Sequence, residues 1–359
     1  MRKVVNLPLH DGRCPRWLFE RMVRLSVALL EIMVREMGPN AVLERLADPY
    51  WFQAFGCALG FDWHSSGLTT TVCGAVKEAL RDRGADLGLF VCGGKGATAR
   101  QTPGEIASWV EKQGLGLDAA ALTEASRLAA KVDGAALQDG YQLYHHTFIF
   151  TAGGRWAVIQ QGMNTATGWA RRYHWLSTTC RDFVCEPHHA VCCDHRGRVL
   201  NLVAAESGPA RKLITELARE APEKTWRDCR RLEESALNLP ARHGILPGDL
   251  TPRGLQQVLL RTYERQPEDF TALVGVEGLG PKALRALSLL AELAYGTPAS
   301  FRDPVKYSFA HGGKDGHPYP VDRAAYDLSI DLLRRAAEAA RLGHSEKLGV
   351  LRRLARWPS

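Results

Sequence analysis

The string Gly278-Leu279-Gly280-Pro281-Lys282 is the part of the chain best suited to holding a phosphate. Two glycines around one apolar residue let a chain reverse tightly. The unpaired N–H groups at the start of the following helix then point outward, where they attract a phosphate oxygen. Leu279 is expected to anchor the turn in the core, while Lys282 and Arg285 place positive charge beside a bound backbone. A turn of this kind between two helices is a helix-hairpin-helix signature, with Gly278 and Gly280 as its expected backbone contacts to DNA. Two other strings invite chemistry and fall short of it. Gly93-Gly94-Lys95-Gly96-Ala97-Thr98 lacks the spacing of a phosphate loop and reads as a glycine-rich turn with a surface lysine that could touch a DNA phosphate. Cys180, Cys185, His188, His189, Cys192, Cys193 and His195 crowd one stretch, and thiolates and imidazoles both bind zinc. They form no pair of Cys-x-x-Cys knuckles, so buried thiols and hydrogen-bonded histidines are expected, with no metal and no cofactor.

Between about residues 250 and 345 the chain resembles the helix-hairpin-helix DNA glycosylases, such as endonuclease III and the 8-oxoguanine glycosylases. The resemblance is carried by Gly278-Leu279-Gly280-Pro281-Lys282 and, later and in the expected order, by Tyr319-Pro320-Val321-Asp322-Arg323. It implies that Lys282 attacks the sugar and that Asp322 is the essential carboxylate capping a later helix, the two catalytic residues. Lys314 and Arg323 join the residues expected on DNA. The pair at 282 and 322 is more widely separated than in the commoner members, and the stretch from Lys306 to Gly316 has the composition of a loop that would absorb the excess. The cysteine quartet that holds the iron–sulfur cluster of endonuclease III has no counterpart after Cys229. Asp303 competes for the catalytic role, being closer to the common spacing. Local context favours Asp322: it opens a strongly helical run, where backbone N–H groups would hold a capping carboxylate ionised and fixed in direction. Asp303 precedes Pro304, which pushes it toward an extended conformation.

The first half resembles no glycosylase domain. Its strings Gly60-Phe61-Asp62-Trp63-His64-Ser65-Ser66-Gly67, Gly93-Gly94-Lys95-Gly96, Gln138-Asp139-Gly140-Tyr141-Gln142-Leu143-Tyr144-His145-His146, Gln160-Gln161-Gly162-Met163-Asn164 and Ala170-Arg171-Arg172-Tyr173-His174-Trp175 are similar to those of a prokaryotic domain-of-unknown-function family. That resemblance spans the whole chain, and some members of the family are associated with excision of 5-hydroxyuracil, an oxidised cytosine product. It implies a repair glycosylase acting on an oxidised pyrimidine. The residue types add candidates for a base pocket: the amides of Gln160, Gln161 and Asn164 read a pyrimidine edge, and Trp63, His64 and Trp175 offer flat faces for stacking. Ser65 beside His64 does not make a nucleophile and base, because adjacent residues on a strand point to opposite faces. The alternative is a non-catalytic helix-hairpin-helix module that delivers a nuclease or interaction domain. Asp62, Asp133 and Asp139 are the carboxylates a nuclease would have to gather.

These residues need elements to position them. Apolar residues recur at helical spacing from Pro15 to Gly38, and Thr69 to Arg83 reads as another helix. Leu87 to Val91 reads as a strand, Thr147–Phe150 and Trp156–Ile159 as a β-hairpin around Ala152-Gly153-Gly154, and Val199 to Val203 as a further strand. After Ser207-Gly208-Pro209 only helices are expected: one after Thr251-Pro252, one from near Gln266-Pro267, one from Pro281 to Gly296, and one from Arg323 to Leu342. The fold class is therefore α+β, with a mixed α/β domain over residues 1–204 and an all-helical domain over 205–359. With 45% hydrophobic and 24% charged residues the chain is neither disordered nor fibrous. The 46 basic and 39 acidic residues leave a charge of +7, which suits a DNA partner. Nine cysteines, an odd number in a chain long enough to bury a core, argue against a disulfide framework. The most apolar stretch, Leu25 to Val34, is interrupted by Glu31 and is too short for a membrane span, which needs about 20 apolar residues. With no leader pattern at the N-terminus, a cytoplasmic location is expected.

Overall fold

The computed structural model describes residues 14–61, 66–193, 195–225, 227–228, 252–306, 331, 333–339 and 343–355. It is a mixed helix-and-sheet protein built on one antiparallel sheet. Helix α1 (Arg16–Ala47) is broken at Gly38, whose φ of 81° is left-handed, and Pro39 restarts it. Helix α2 (Pro49–Ala58) is capped by Asp48, which accepts the Trp51 N–H at 2.7 Å. Helix α3 (Gly67–Leu80) and the single turn α4 (Gly84–Leu87) complete the first helical group. Strand β1 (Leu89–Lys95) begins two residues later than the apolar run suggests, because Leu87 closes α4 and Gly88 turns left-handed. Helices α5 (Thr102–Lys112) and α6 (Ala119–Lys131) follow, the second capped by Asp118 through the N–H groups of Ala120 and Ala121.

The remaining strands are β2 (Leu137–Gln138), β3 (Gln142–Thr151), β4 (Trp156–Asn164), β5 (Trp169–Leu176), β6 (Ala190–Cys192) and β7 (Leu200–Asn201). The five-stranded sheet runs β1-β3-β4-β5-β6, and β2 pairs separately with β7. Only two residues of the run Val199–Val203 are strand. The sheet is buried on both faces. Leu89, Val91, Ile149, Ile159 and Leu176 meet the helices before it, whereas Phe90, Phe148, Phe150, Val158 and Trp175 meet α6 and the helices after it.

Those later helices are α7 (Gly208–Arg219), α8 (Pro252–Arg265), α9 (Phe270–Gly275), α10 (Pro281–Tyr295) and α11 (His344–Ala355). Helix α9 starts beyond Gln266-Pro267 because Asp269 provides its cap, accepting the Ala272 N–H at 2.7 Å. Gly296, at φ 66°, ends α10 where the sequence places its stop. The later part also supplies an antiparallel bridge from Ser300 to Asn201. Buried residues on both sides of residue 204 share one core, in which Phe148 and Trp175 lie with Leu273, Leu284 and Leu287.

Candidate functional site

The turn between α9 and α10 carries Gly278, Leu279 and Gly280. Gly278 adopts φ 83°, a left-handed conformation that any side chain would strain. Leu279 is 1% exposed and points into the core. Gly280 differs from Gly278: its backbone is extended, and a Cβ there would meet nothing within 4 Å. Protein donors hold the carbonyls of the turn. Lys131 Nζ donates to the Leu279 carbonyl at 2.8 Å and to that of Val276 at 3.4 Å, and Arg261 Nη1 donates to that of Glu277 at 3.4 Å. Gln138 Nε2 donates to the Pro281 carbonyl at 2.8 Å. The first N–H groups of α10 lack intrahelical acceptors, as in any helix, and Pro281 contributes none. Lys282 is exposed one residue into α10, and Arg285 is half-buried with its Nε donating to Gln138 Oε1 at 2.8 Å. Burial, with Arg127 nearby, pushes the pKa of Lys131 down against the pull of Glu277.

Of the other expected residues, Asp322, Lys314, Arg323, Trp63 and His64 lie outside the described residues. Asp303 is committed elsewhere: its Oδ2 accepts Arg171 Nη2 at 2.8 Å and the Gly197 N–H at 2.9 Å, and its Oδ1 accepts the Val305 N–H. Arg171 also pairs with Asp139 at 3.0 Å, and Tyr173 donates its hydroxyl to the same carboxylate at 2.6 Å. Burial opposes the Arg171 charge, but Asp139 and the groups around it outweigh that and raise its pKa well above the ordinary value.

Gln160, Gln161, Asn164 and Trp175 do not form one base pocket. Gln160 and Gln161 are neighbours on β4, so they face opposite sides of the sheet. The Gln161 amide is used on the α3 side, where it accepts the Thr69 hydroxyl and donates to the Ser66 carbonyl and the Tyr144 hydroxyl. Trp175 is fully buried and donates its indole N–H to Asp133 at 2.9 Å. Asn164 closes the β4–β5 turn by accepting the N–H groups of Ala166 and Thr167. Gln160 borders a cavity.

That cavity, of about 610 Å³, opens between the Gly96–Gln101 turn, the start of α5, α6 and β3. Gly93 permits the approach of β1 to β3 beside it, since a Cβ there would lie 2.3 Å from the His146 carbonyl oxygen. Ser126 and His146 form part of its wall, with Ser126 Oγ 2.8 Å from His146 Nε2 and His146 Nδ1 2.9 Å from Gln160 Oε1. Gln160 Nε2 donates in turn to Asp133 Oδ2 at 2.6 Å and to the Ala129 carbonyl at 3.2 Å. Asp133 also accepts from Trp175 and pairs with His188 Nε2. Burial keeps His146 below the usual histidine range, and it pushes the neighbouring His145 down to about 3. Arg100 and Arg127 stand exposed at the cavity's border. Sequence reasoning missed Ser126, Arg127 and Arg100. Asp118 followed by an alanine-rich run was the available sign of the helix that carries the first two.

The cysteine and histidine cluster disperses to separate partners. His188 goes to Asp133, His189 Nδ1 lies 3.4 Å from the Thr179 hydroxyl, and Cys193 Sγ lies 3.3 Å from the Tyr141 hydroxyl. Burial pushes the Cys180 thiol up to about 12. The described cysteines are free thiols, and no group of three or more His, Cys, Asp or Glu among the described residues is placed to hold a metal ion. No helix among the described residues is long and apolar enough to cross a membrane. A family model described as "Protein of unknown function (DUF763)" matches residues 3–321. No curated protein and no solved structure matches the chain.

Proposed function

The chain belongs to the DUF763 family, whose description assigns no activity, and from its own residues we propose that it binds DNA through the turn at 276–280 and excises a damaged base. Gly280 carries this reading. Neither a left-handed φ nor a close neighbour among the described residues requires glycine at this N-cap, so what the missing side chain leaves is open space at the first turn of α10, where a phosphate oxygen needs close approach to backbone N–H groups. The donors from Lys131, Arg261 and Gln138 fix the carbonyls of the turn, so its dipoles are set before any ligand arrives.

Once the backbone is held, the damaged nucleotide leaves the stack and its N-glycosidic bond breaks through a cation-like sugar. The carboxylate of Asp322 stabilises the positive charge at C1′. The amine of Lys282, when unprotonated, attacks C1′ as the base departs with the bonding electron pair; opening of the sugar then gives a Schiff base and permits strand cleavage by elimination. An oxidised pyrimidine such as 5-hydroxyuracil is the substrate this reading favours.

The test is a panel of duplex oligonucleotides, each with one damaged base, incubated with the protein and then examined with and without alkali. Cleavage at an oxidised pyrimidine is expected, with a covalent complex trapped by borohydride and lost in Lys282→Ala. Absence of base release across the panel would sink the glycosylase reading. Cleavage only after alkali, with no trapping, would assign the attack to water and leave Lys282 as a phosphate contact.

A further inference from the structure

We propose that the cavity bordered by Ser126, Arg127, Ala130, Tyr144, His146 and Gln160 receives the base that leaves the DNA stack, and that Ser126 Oγ accepts a hydrogen bond from it. This inference rests on the DNA-binding reading of the turn at 276–280.

Position is the first argument. Helix α6 serves both places: Ser126, Arg127 and Ala130 border the cavity, and Lys131 holds the carbonyls of Leu279 and Val276. Arg127 and Lys131 are four residues apart on one helix face, and their charges influence each other. The helix that braces the turn through Lys131 therefore also borders the cavity, one helical turn earlier, through Arg127. At about 610 Å³ the cavity is in the range of small-molecule sites and has room for a nucleotide. Arg100 and Arg127 at its border suit the phosphates flanking an extruded residue.

Hydrogen bonding is the second argument, and it fixes what the wall presents. Asp133 accepts from Trp175 and Gln160, so the Gln160 amide nitrogen is turned toward it and the amide oxygen toward His146. His146 Nδ1 must then carry the proton. In the neutral ring, Nε2 is left as an acceptor, and the Ser126 hydroxyl hydrogen goes to it. What remains on Ser126 Oγ is lone pairs. The chain Asp133–Gln160–His146–Ser126 thus presents an acceptor that cannot readily rotate into a donor, and it meets an N–H or O–H of the extruded base, which in a uracil-type base is the imide N–H or a ring hydroxyl.

The experiment uses the full chain and duplexes carrying one 5-hydroxyuracil or one uracil beside 2-aminopurine, whose fluorescence rises when its neighbour leaves the stack. Ala130→Trp fills the cavity, and Ser126→Ala removes only the acceptor. Both variants are checked for native circular dichroism, and duplex affinity is measured separately. The expected result is a rise in fluorescence with wild type, its loss with Ala130→Trp, and a loss of roughly tenfold or more in extrusion or release with Ser126→Ala, while affinity for undamaged duplex changes by less than about twofold. Extrusion that persists at wild-type level in both folded variants would overturn the cavity assignment and leave the turn's role intact. DNA binding by wild type with no fluorescence rise on either duplex would do the same. Failure of wild type to bind any duplex would overturn both.

Discussion

Asp133 shows how much a single buried carboxylate determines here. It lies inside the protein and takes hydrogen bonds from Gln160 and Trp175 while pairing with His188. Asp133→Asn keeps the shape but turns one of the two acceptor oxygens into a donor, which must face either Gln160 and Trp175, both donors, or the His188 ring. A loss of about 3 kcal/mol in unfolding free energy is expected, measured by urea denaturation. A change within about 0.5 kcal/mol would show that the network does not depend on Asp133 as acceptor. Little of this network is legible in the sequence. Gln160 and Gln161 look alike there, and the alternation of a strand says only that they part company. Which of them borders a cavity depends on Asp133 and Ser126, which arrive from outside the sheet.

At the scale of elements, the turn at 276–280 was the most legible feature, because its requirements are local: a left-handed residue, an apolar anchor and a proline at the start of a helix. The two glycines predict different outcomes. Gly280→Val places its side chain in open space, so the thermal midpoint is expected to stay within about 2 °C of wild type. Binding to damaged and undamaged duplexes is expected to weaken together, since phosphate contacts carry no sequence information. Fluorescence anisotropy at two salt concentrations checks this, and unchanged affinity in the folded variant would remove the turn from the interface. Strand β5 was the least legible element. Arg171, Arg172 and His174 do not look like the interior of a sheet, yet all three are buried. Their partners come from afar: Asp139 and Asp303 for Arg171, Gln53 and Thr69 for Arg172. Periodicity cannot reveal a charge neutralised by a residue 132 positions away.

Across the whole molecule, the buried histidines set a pH dependence. Burial lowers His145 to about 3 and also depresses His146, His174 and His189. In the unfolded chain these rings titrate near 6.5, so below that pH the unfolded state binds more protons than the folded one, and stability falls as pH falls. The loss should begin near pH 6.5 and continue toward the folded-state values, at up to about 1.4 kcal/mol per pH unit for each histidine. Asp139, pushed up by burial in spite of Arg171, takes its proton at a higher pH in the fold than in the open chain and so works against that loss. Thermal melts from pH 7.5 to 5 check the sign: a midpoint constant over that interval would mean that the histidines are not held neutral. The α+β class was readable from the order of elements, but the burial of the sheet on both faces was not, because it depends on helices from either side of residue 204 entering the same core.

Arg171 ties β5 to Asp303 and so gives the order of synthesis a consequence for folding. While the ribosome is still making α10, every strand of the sheet has already been polymerised, but the second carboxylate for Arg171 does not yet exist, and neither does Ser300 to bridge Asn201. The nascent chain must either bury Arg171 with one of its two carboxylate partners or leave β5 accessible to solvent until the segment carrying Asp303 emerges. A chain ending at Tyr295 is accordingly expected to be cut by trypsin after Arg171 or Arg172, positions that the full-length protein protects. Equal protection in the two chains, read by mass spectrometry of the fragments, would mean that the sheet closes before its last partner arrives.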